Sequence, residues 1–290
     1  MIPDLIGSYW QGVLIMMGIN AILALGFYIT FSTGQMSMCH GALMGVGAYA
    51  SGLLSMNTSL PFALVLFLGG ILAGIIGAFI CYPCLRLKHF YLAIATLGFG
   101  EMLVTIGMVW ESIGGALGIQ GVPFKTDLLN VYLFLFILIY FFQTLRGSSF
   151  WRACKSIRDD DKLAEVSGIN IAKYRGISFA LGAFICGVGG GFEIHYISAT
   201  QPFTYGIVKS TEIFIFALIG GMEIFIGPIF GAFLLTVLPE VLREISRERM
   251  IIYGFLLILI LIFRPQGLMD NQAWDKFSRF FKRFNYFSPN

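Results

Sequence analysis

The stretch "STGQMSMCHGALMGVGAYASG" (residues 32–52) interrupts two long apolar runs, and it decides the fold. A polar turn comes first, and a helix-forming segment with small residues at Gly41, Gly45 and Ala48 follows. Small residues let membrane helices approach closely, and a broken helix persists within a bilayer only where its freed backbone groups face protein or a water-filled cavity. The stretch therefore predicts a broken membrane helix packed inside a bundle.

The composition around this stretch is that of a membrane protein. Of the 290 residues, 57% are hydrophobic and 12% are charged, whereas soluble domains have about 25% charged residues. A helix needs about 20 mainly apolar residues to cross the hydrocarbon core. Such runs predict an all-α integral membrane protein of about eight transmembrane helices, of which one or two segments can be half-helices, near residues 10–31, 36–55, 61–82, 90–109, 130–145, 177–199, 205–238 (long enough for two passes) and 250–263.

A second glycine-rich break, "IGGMEIFIGPIFGAFLL" (219–235), has the same character as the first. Two breaks in corresponding halves indicate an internal inverted repeat, and transporters built from inverted repeats place their substrate path at discontinuous helices. The second break brings Gly220, Gly221 and Glu223 into the predicted path. Tight helix packing alone is the alternative explanation for the glycines.

One long polar segment, "WRACKSIRDDDKLAEVSGINIAKYRG" (151–176), lies within a loop at 146–176. Asp159 and Asp160 are good N-cap residues, and Gly168 stands where a helix ending near Ser167 needs a left-handed residue. The pattern predicts a short capped helix whose small apolar side carries Leu163 and Val166. Such a helix is suited to docking a partner, and a solvated loop helix is the alternative.

Lysine and arginine residues predict the orientation of the chain, because they accumulate in cytoplasmic segments. Seven lie between residues 146 and 176, and four more follow in the tail. We therefore expect a permease domain at 1–268 with its N-terminus outside and the 146–176 loop in the cytoplasm, followed by a basic aromatic cytoplasmic tail at 269–290. In the tail, Trp274, Phe277, Phe281 and Phe284 alternate with basic residues, as in helices that lie on anionic lipid.

Ionisable and polar residues inside spans are costly and mark candidate functional positions. Gln35, Ser37 and His40 in the first break are predicted to line the substrate path, with internal hydrogen bonding as the alternative. Thr96 and Glu101 on a neighbouring span are second-choice candidates. Interfacial placement is expected for the remaining acidic or histidine residues near span ends, which are Glu193, His195 and Glu212.

Several classes of function have no support in the sequence. No phosphate-binding loop, H-E-x-x-H or G-x-S-x-G motif occurs, so neither ATP hydrolysis nor an intramembrane enzyme is predicted. Cys81 and Cys84 form a C-x-x-C near His89, but no second ligand pair completes a zinc site, and packing at a helix end explains them. The net charge of +3 comes from the loop and tail and indicates no nucleic-acid partner.

Six blocks of the chain together resemble a known family. They are "LGFYITFSTGQMSMCHGALMGVGAYAS" (25–51), "LRLKHFYLAIATLGFGEM" (85–102), "SIGGALGI" (112–119), "ACKSIRDDDKLAEVSGINIAKYR" (153–175), "STEIFIFALIGGMEIFIGPIFGAFLL" (210–235) and "YGFLLILILIFRPQGL" (253–268). In this order they are similar to the LivM-type permeases of branched-chain amino acid ABC transporters. A stand-alone channel or carrier is a competing class, but it leaves this resemblance unexplained.

The resemblance implies a role in ATP-driven import. Such a permease pairs with a LivH-type permease, two ATPase subunits that hold ATP and magnesium, and a periplasmic or lipid-anchored binding protein; it binds no cofactor itself. Branched-chain or other hydrophobic amino acids are the implied cargo, with urea or short amides as the alternative within the family. The segment before residue 177 matches the family's coupling segment, at Arg158, Leu163, Ala164, Glu165, Gly168, Ile169 and Asn170.

Overall fold

The computed structural model describes residues 2–85, 87, 89–243, 249–264 and 267–269. The α-helices within them are α1 (Ile2–Phe31), α2 (His40–Asn57), α3 (Phe62–Cys84), α4 (His89–Val109), α5 (Leu128–Arg146), α6 (Ser149–Asp159), α7 (Asp161–Val166), α8 (Ile171–Ile197), α9 (Ile207–Gly220), α10 (Ile226–Arg243) and α11 (Arg249–Phe263). Short 3-10 turns include Pro202–Tyr205. One two-stranded antiparallel ladder joins β1 (Ile119–Gln120) to β2 (Ala199–Thr200).

This architecture confirms the predicted all-α membrane fold. Within the described residues, six helical segments are long and apolar enough to cross a bilayer: Tyr9–Phe31, Phe62–Cys84, Phe90–Val109, Leu128–Arg146, Ile171–Ile197 and Pro202–Gly220. Helix α2 is less apolar, and α10 and α11 are shorter. The count of eight crossings and the inverted repeat therefore stay predictions. The predicted tail at 269–290 lies outside the described residues, except for residue 269.

Helix α8 forms the centre of the bundle. Helices α1, α2 and α3 pack around it, and almost every α8 residue from Ile185 to His195 is buried. Glycine makes this packing possible, because a Cβ on Gly47 of α2 would overlap the backbone of Gly187. Helix α2 runs parallel to α8, whereas α1 and α3 run antiparallel to it, so the C-terminal ends of α1 and α3 lie beside the start of α8.

Both predicted breaks and the predicted docking loop gather at that end of α8, which we call the α8 N-terminal face. The first break follows α1, and its Thr33 hydroxyl lies 3.1 Å from the Ser178 hydroxyl of α8. The second break joins α9 to α10, and Phe225 there lies under the Arg146 guanidinium at the end of α5. Helices α6 and α7 close the face, with Asp161 of α7 3.8 Å from Arg175 of α8.

Helix α9 starts within the bundle. After the β1–β2 ladder, the Pro202–Tyr205 turn leads the chain between α2 and α4, where Tyr205 packs on Gly45 and Pro202 on Gly107. The Ser210 hydroxyl then accepts a hydrogen bond from the Gly41 N–H of α2, at 3.1 Å. The segment Pro202–Gly220 is thus a short 3-10 turn followed by the 14-residue helix α9, and it is not one continuous helix.

Candidate functional site at the two helix breaks

The first break, residues 32–39, is held by polar side chains. The Ser32 and Thr33 hydroxyls donate to carbonyls of the last turn of α1, at 2.6 and 3.0 Å. These bonds satisfy acceptors that the end of a helix otherwise leaves unpaired. Thr30 Oγ1 and His40 Nε2 lie 3.0 Å apart, and they tie the last turn of α1 to the first turn of α2.

The predicted path residues of this break are buried and hydrogen-bonded. Gln35, Ser37 and His40 each expose 1% of their surface or less. The Gln35 amide lies 3.5 Å from the Cys81 sulfur, and Ser37 Oγ lies 3.3 Å from the Cys39 sulfur. In this conformation the three residues therefore stabilise the break, which is the alternative weighed from the sequence. Gln35 also lines a polar cavity of about 180 Å³ together with Arg158 and Arg175.

Helix α4 supports both the first break and the start of α9. The Thr96 hydroxyl accepts a hydrogen bond from the Met38 N–H at 2.9 Å, so Thr96 pairs one backbone group of the break. Glu101 lies further along α4, and its carboxylate accepts from the Ile207 N–H at 2.7 Å. A carboxylate there is favourable because the N-terminus of a helix carries partial positive charge and unpaired N–H groups.

The second break, residues 221–225, is held by backbone groups. Helix α9 ends at Gly220, and the Leu268 and Met269 N–H groups donate to the Ile219 and Gly220 carbonyls at 2.9 and 3.0 Å. The segment after α11 thereby caps the C-terminus of α9. Sequence reasoning missed this contact, because no short motif reports pairing between segments that lie about fifty residues apart.

Close glycine contacts shape the second break. A Cβ on Gly220 would overlap the Gly227 carbonyl oxygen, and a Cβ on Gly227 would overlap that of Gly221. Gly221 itself has φ +104°, a conformation that side chains disfavour. Glu223 is exposed on the α8 N-terminal face. The predicted path residues of the second break thus lie together, on the same face as the first break.

The 146–176 loop folds as two helices. Asp160 caps α7, since its carboxylate accepts from the Lys162 and Leu163 N–H groups at 2.9 and 3.1 Å. Gly168 follows the C-cap of α7 with φ +81°, as the sequence indicates. Sequence reasoning missed the amphipathic helix α6, whose N-cap Ser148 accepts from the Trp151 N–H at 3.2 Å. The spacing of its buried residues Ala153, Cys154 and Ile157 was the available signal.

Helix α7 presents the predicted docking residues outward. Leu163 and Val166 are 66% and 87% exposed, whereas Ala164 is buried and anchors the helix. Glu165, Gly168, Ile169 and Asn170 line one open groove beside the end of α3. Most of the predicted coupling residues therefore lie at the surface of α7 and of the turn that follows it, whereas Ala164 faces inward and Arg158 lies on α6.

Arg158 joins the loop to both breaks. Its guanidinium donates to the Met222 carbonyl of the second break at 3.0 Å and lies 5.0 Å from the centre of the Phe31 ring. Its Cα and Cβ contact the position where Gly34 of the first break would carry a side chain. One turn earlier, Cys154 lies beside Ser32 of the first break, and burial raises the pKa of the Cys154 thiol to about 12. Helix α6 thus contacts both breaks at once.

A buried ionic group lies nearer the other end of α8. Lys209 of α9 lies 3.4 Å from the Glu193 carboxylate and 3.2 Å from that of Glu212. The expected interfacial placement of Glu193 near the end of its span stays a prediction, but its side chain is only 4% exposed within the bundle. The cause is pairing, because a buried carboxylate is tolerated when a cation neutralises it. Sequence reasoning missed Lys209, although it lies inside the predicted span at 205–238.

Metal chemistry gains no support from the described side chains. Cys81 and Cys84 are both buried with free thiols. Among the residues that the structure describes, no group of three or more histidine, cysteine, aspartate or glutamate side chains could hold a metal ion. The side chain of His89 lies outside the described part, so the candidate cysteine–histidine site is not described in full.

A multi-pass helical bundle with two broken helices, contacted by one helical loop, is the architecture of a membrane permease. The comparisons define the class further. The profile of a family described as branched-chain amino acid transport system / permease component matches residues 9–262. The chain therefore belongs to that family and is a permease subunit of an ABC transporter. No solved structure matches the chain.

Curated relatives agree with this assignment. The chain is 25% identical over 287 residues to the high-affinity branched-chain amino acid transport system permease protein LivM of Escherichia coli, covering 87% of this chain and 68% of the relative. The LivM protein of Salmonella typhimurium gives the same identity and coverage. A probable branched-chain amino acid transport permease protein LivM of Methanocaldococcus jannaschii is 28% identical over 138 residues, or 44% of this chain and 40% of the relative.

Proposed function

We propose that this permease imports branched-chain amino acids, in a complex with a second permease of the LivH type, two ATPase subunits and a substrate-binding protein. The names of the curated relatives support the substrate class. The helical loop supports the ATP-driven mechanism, because a chain without a phosphate-binding loop needs energy from a partner. ATP and magnesium are then held by the ATPase subunits, and this chain binds no cofactor.

The α8 N-terminal face is cytoplasmic in this proposal. The lysine and arginine residues of the 146–176 loop favour that side. The N-terminus of α1 then lies outside, where the binding protein docks, and the tail at 269–290 lies in the cytoplasm against lipid. Leu163 and Val166, which are largely exposed, together with Glu165 and the groove beside Gly168, form the surface for an ATPase subunit.

Contact of α6 with both breaks is the observation that carries the mechanism. Arg158 binds the Met222 carbonyl and packs on Gly34, so a movement of the loop displaces both breaks together. ATP binding can shift the bundle between two conformations only if the ATPase subunits bind one of them more tightly. We assign the loop as the element that transmits this difference in affinity to the membrane helices.

The two breaks border the substrate path in this mechanism. Gln35, Ser37 and His40 hold the first break closed in the conformation described here, and Thr96 pairs its backbone. Gly220, Gly221 and Glu223 form the second break, and Glu101 holds the start of α9. If the two breaks rearranged, their polar groups would lose their present partners and could line the substrate path.

A charge reversal on the docking surface tests the proposal. Glu165→Arg combined with Gly168→Leu places a cation and a bulky side chain on the groove, and Gly168 has no neighbour within 4 Å that the new side chain would strike. We expect the ATPase subunits to be lost from the purified complex, with at least a tenfold drop in amino acid uptake. Leucine at φ +81° also adds some backbone strain.

The matched control lies at the opposite end of α8. Glu111→Arg with Gly121→Leu makes the same two changes, and Gly121 has φ +80° with open space around it. This variant should retain the ATPase subunits after purification. Retention of the ATPase subunits by the Glu165→Arg, Gly168→Leu variant at the control level would contradict the proposed docking surface.

A further inference from the structure

Two glutamate residues lie on the outer surface of the bundle at the middle of spans. Glu101 lies near the middle of Phe90–Val109, and Glu212 lies near the middle of Pro202–Gly220. The Glu212 side chain is 42% exposed, and Glu101 is partly exposed as well. A carboxyl group in contact with lipid is costly, whether charged or protonated, because hydrocarbon offers no hydrogen-bond partner. A surface of this kind requires water or another protein beside it.

The two glutamates belong to one continuous surface, which we call the α4–α9 face. Its members are Glu101, Thr105, Val208, Thr211 and Glu212. Glu101 and Thr105 lie one turn apart on α4, and helical spacing places the three other residues together on one side of α9. The Glu101 carboxylate joins the two helices, because it accepts from the Ile207 N–H at 2.7 Å. Val208 is 75% exposed, and Thr105 is exposed as well.

The chain itself pairs these glutamates only in part. Lys209 lies 3.2 Å from the Glu212 carboxylate, but the same ammonium group lies 3.4 Å from the buried Glu193 carboxylate. One Glu101 oxygen accepts the Ile207 N–H, and the other has no hydrogen-bond partner among the described residues. The two threonine hydroxyls donate to carbonyls of their own helices. The carboxylates, rather than the threonines, therefore require polar surroundings.

The exposed surfaces of α3 and α5 differ from the α4–α9 face in composition. From Leu64 to Phe79 on α3, every exposed side chain is apolar. From Leu129 to Ile137 on α5, the exposed side chains are leucine, phenylalanine and isoleucine. Apolar faces suit lipid, because they carry no group that hydrocarbon leaves unpaired. The contrast indicates that α3 and α5 face lipid and that the α4–α9 face does not.

The α4–α9 face leads to both helix breaks. Helix α4 contacts the first break through the Thr96 hydroxyl, which accepts from the Met38 N–H five residues before Glu101. Helix α9 ends at Gly220, where the second break begins. Glu212 lies about 12 Å from Gly220 along the helix axis. A passage along this face would therefore meet both breaks, which border the substrate path in the proposed function.

We propose that the α4–α9 face borders a water-filled passage whose opposite wall is the second permease subunit. The inference rests on the proposed function, because that function supplies a second subunit within the membrane. One open face cannot enclose a passage by itself, since its exposed residues lie on the outside of the bundle. A second membrane protein opposite the face keeps lipid away from the glutamates and leaves room for water.

The reactivity of introduced cysteines measures contact of the face with water. Val208→Cys places a thiol on the face, and Leu133→Cys is the matched control on the apolar side of α5, where Leu133 is 57% exposed. The two positions have similar depth, because they lie 12 and 13 residues before the helix ends at Gly220 and Arg146. The native cysteines are all buried, so the unmodified complex supplies the background.

A charged, membrane-impermeant methanethiosulfonate is the probe. It is applied to the complete complex in lipid nanodiscs, which leave both sides of the membrane open to it, and labelling of this subunit is read after the subunits are separated. We expect Val208→Cys to react at least roughly tenfold faster than Leu133→Cys, because the reactive thiolate forms in water and not in lipid.

A photoreactive side chain at the same two positions identifies the opposite wall. p-Benzoylphenylalanine replaces Val208 in one variant and Leu133 in the other, and both complexes are irradiated. The Val208 variant should give an adduct of this subunit with the second permease, detected by gel and mass spectrometry. The Leu133 variant should give no such adduct, because lipid covers that position.

Each result bears on a separate claim. Equal reactivity of the two cysteines overturns the water-filled passage, whether lipid or a dry protein contact covers the face. Unless the adduct with the second permease is more abundant from position 208 than from position 133, the assignment of the opposite wall is wrong. If the unmodified complex shows no ATP-driven uptake of branched-chain amino acids, the proposed function fails, whereas the cysteine comparison still decides whether the face meets water.

Discussion

The two helix breaks perform the same structural task by different chemistry. The first, at residues 32–39, is held by hydroxyl, amide and imidazole side chains that bind one another and neighbouring helices. The second, at residues 221–225, is held by glycine contacts and by backbone N–H groups from residues 268 and 269. Irregular structure within a membrane requires such contacts, because lipid cannot satisfy free backbone groups.

The difference determines how each break can move. Side-chain hydrogen bonds exchange partners individually, so the first break can open stepwise, and each bond contributes only about 1 kcal/mol net. In the second break, glycines contact the backbone of the neighbouring segment directly, so the two segments cannot shift against each other by small steps. We therefore expect the second break to move as a rigid unit and the first to rearrange internally. Arg158, which contacts both, is placed to make the two movements simultaneous.

The largest effect is expected from Gly227→Ala. The new Cβ would overlap the Gly221 carbonyl oxygen, and a backbone atom cannot turn aside as a side chain can. We expect a loss of about 3 kcal/mol or more, at the upper end of overpacking costs. Thermal unfolding in detergent and the yield in membranes measure the effect.

Gly98→Ala is the control for that change. Gly98 lies inside α4 with no atom within 4 Å of the added Cβ, so alanine should stabilise α4 by about 0.5–1 kcal/mol. If Gly227→Ala unfolds at the same temperature as Gly98→Ala, close packing does not hold the second break.

A smaller effect is expected from Thr96→Val, which acts on the first break. Valine keeps the shape of threonine but removes the acceptor for the Met38 N–H, and Thr96 is fully buried. The unpaired N–H should cost about 1–3 kcal/mol. Hydrogen exchange of the Met38 amide provides a local measure, since its protection should fall.

Thr105→Val provides the comparison on the same helix. The Thr105 hydroxyl binds only the Glu101 carbonyl of its own helix and faces outward, so the change should stay within about 0.5 kcal/mol. Equal stabilities for Thr96→Val and Thr105→Val would show that the first break does not depend on the hydroxyl of Thr96.

The sequence predicted what depends on local chemistry. Asp160 and Gly168 mark the ends of α7 through capping and a left-handed residue, and both effects act within four residues of chain. The breaks themselves were predicted because glycine and polar residues interrupt apolar runs visibly. Their position in the sequence, however, did not reveal that side chains hold one and backbone the other.

What the sequence could not predict depends on contacts between distant segments. The burial of Glu193 against Lys209 was not predicted, because Lys209 approaches only after the chain turns at Pro202–Tyr205. The apolar groove lined by α2, α3 and α4 depends on how these helices diverge. No residue pattern reports an empty volume. The segments that meet at the α8 N-terminal face could therefore be predicted from the sequence, but the geometry of their contacts could not.

The smallest effect is expected from Tyr28→Phe, which removes a side-chain contact to the second break. The Tyr28 hydroxyl donates to the Glu223 carbonyl at a long 3.4 Å, and Glu223 lies on an exposed surface where water can replace the donor. We expect a loss of less than about 1 kcal/mol, because the net value of a hydrogen bond falls when its partner can be solvated. Thermal unfolding alongside Gly227→Ala measures it. A loss as large as that of Gly227→Ala would contradict the distinction between the two breaks, because one side-chain bond would then contribute as much to the second break as its backbone packing.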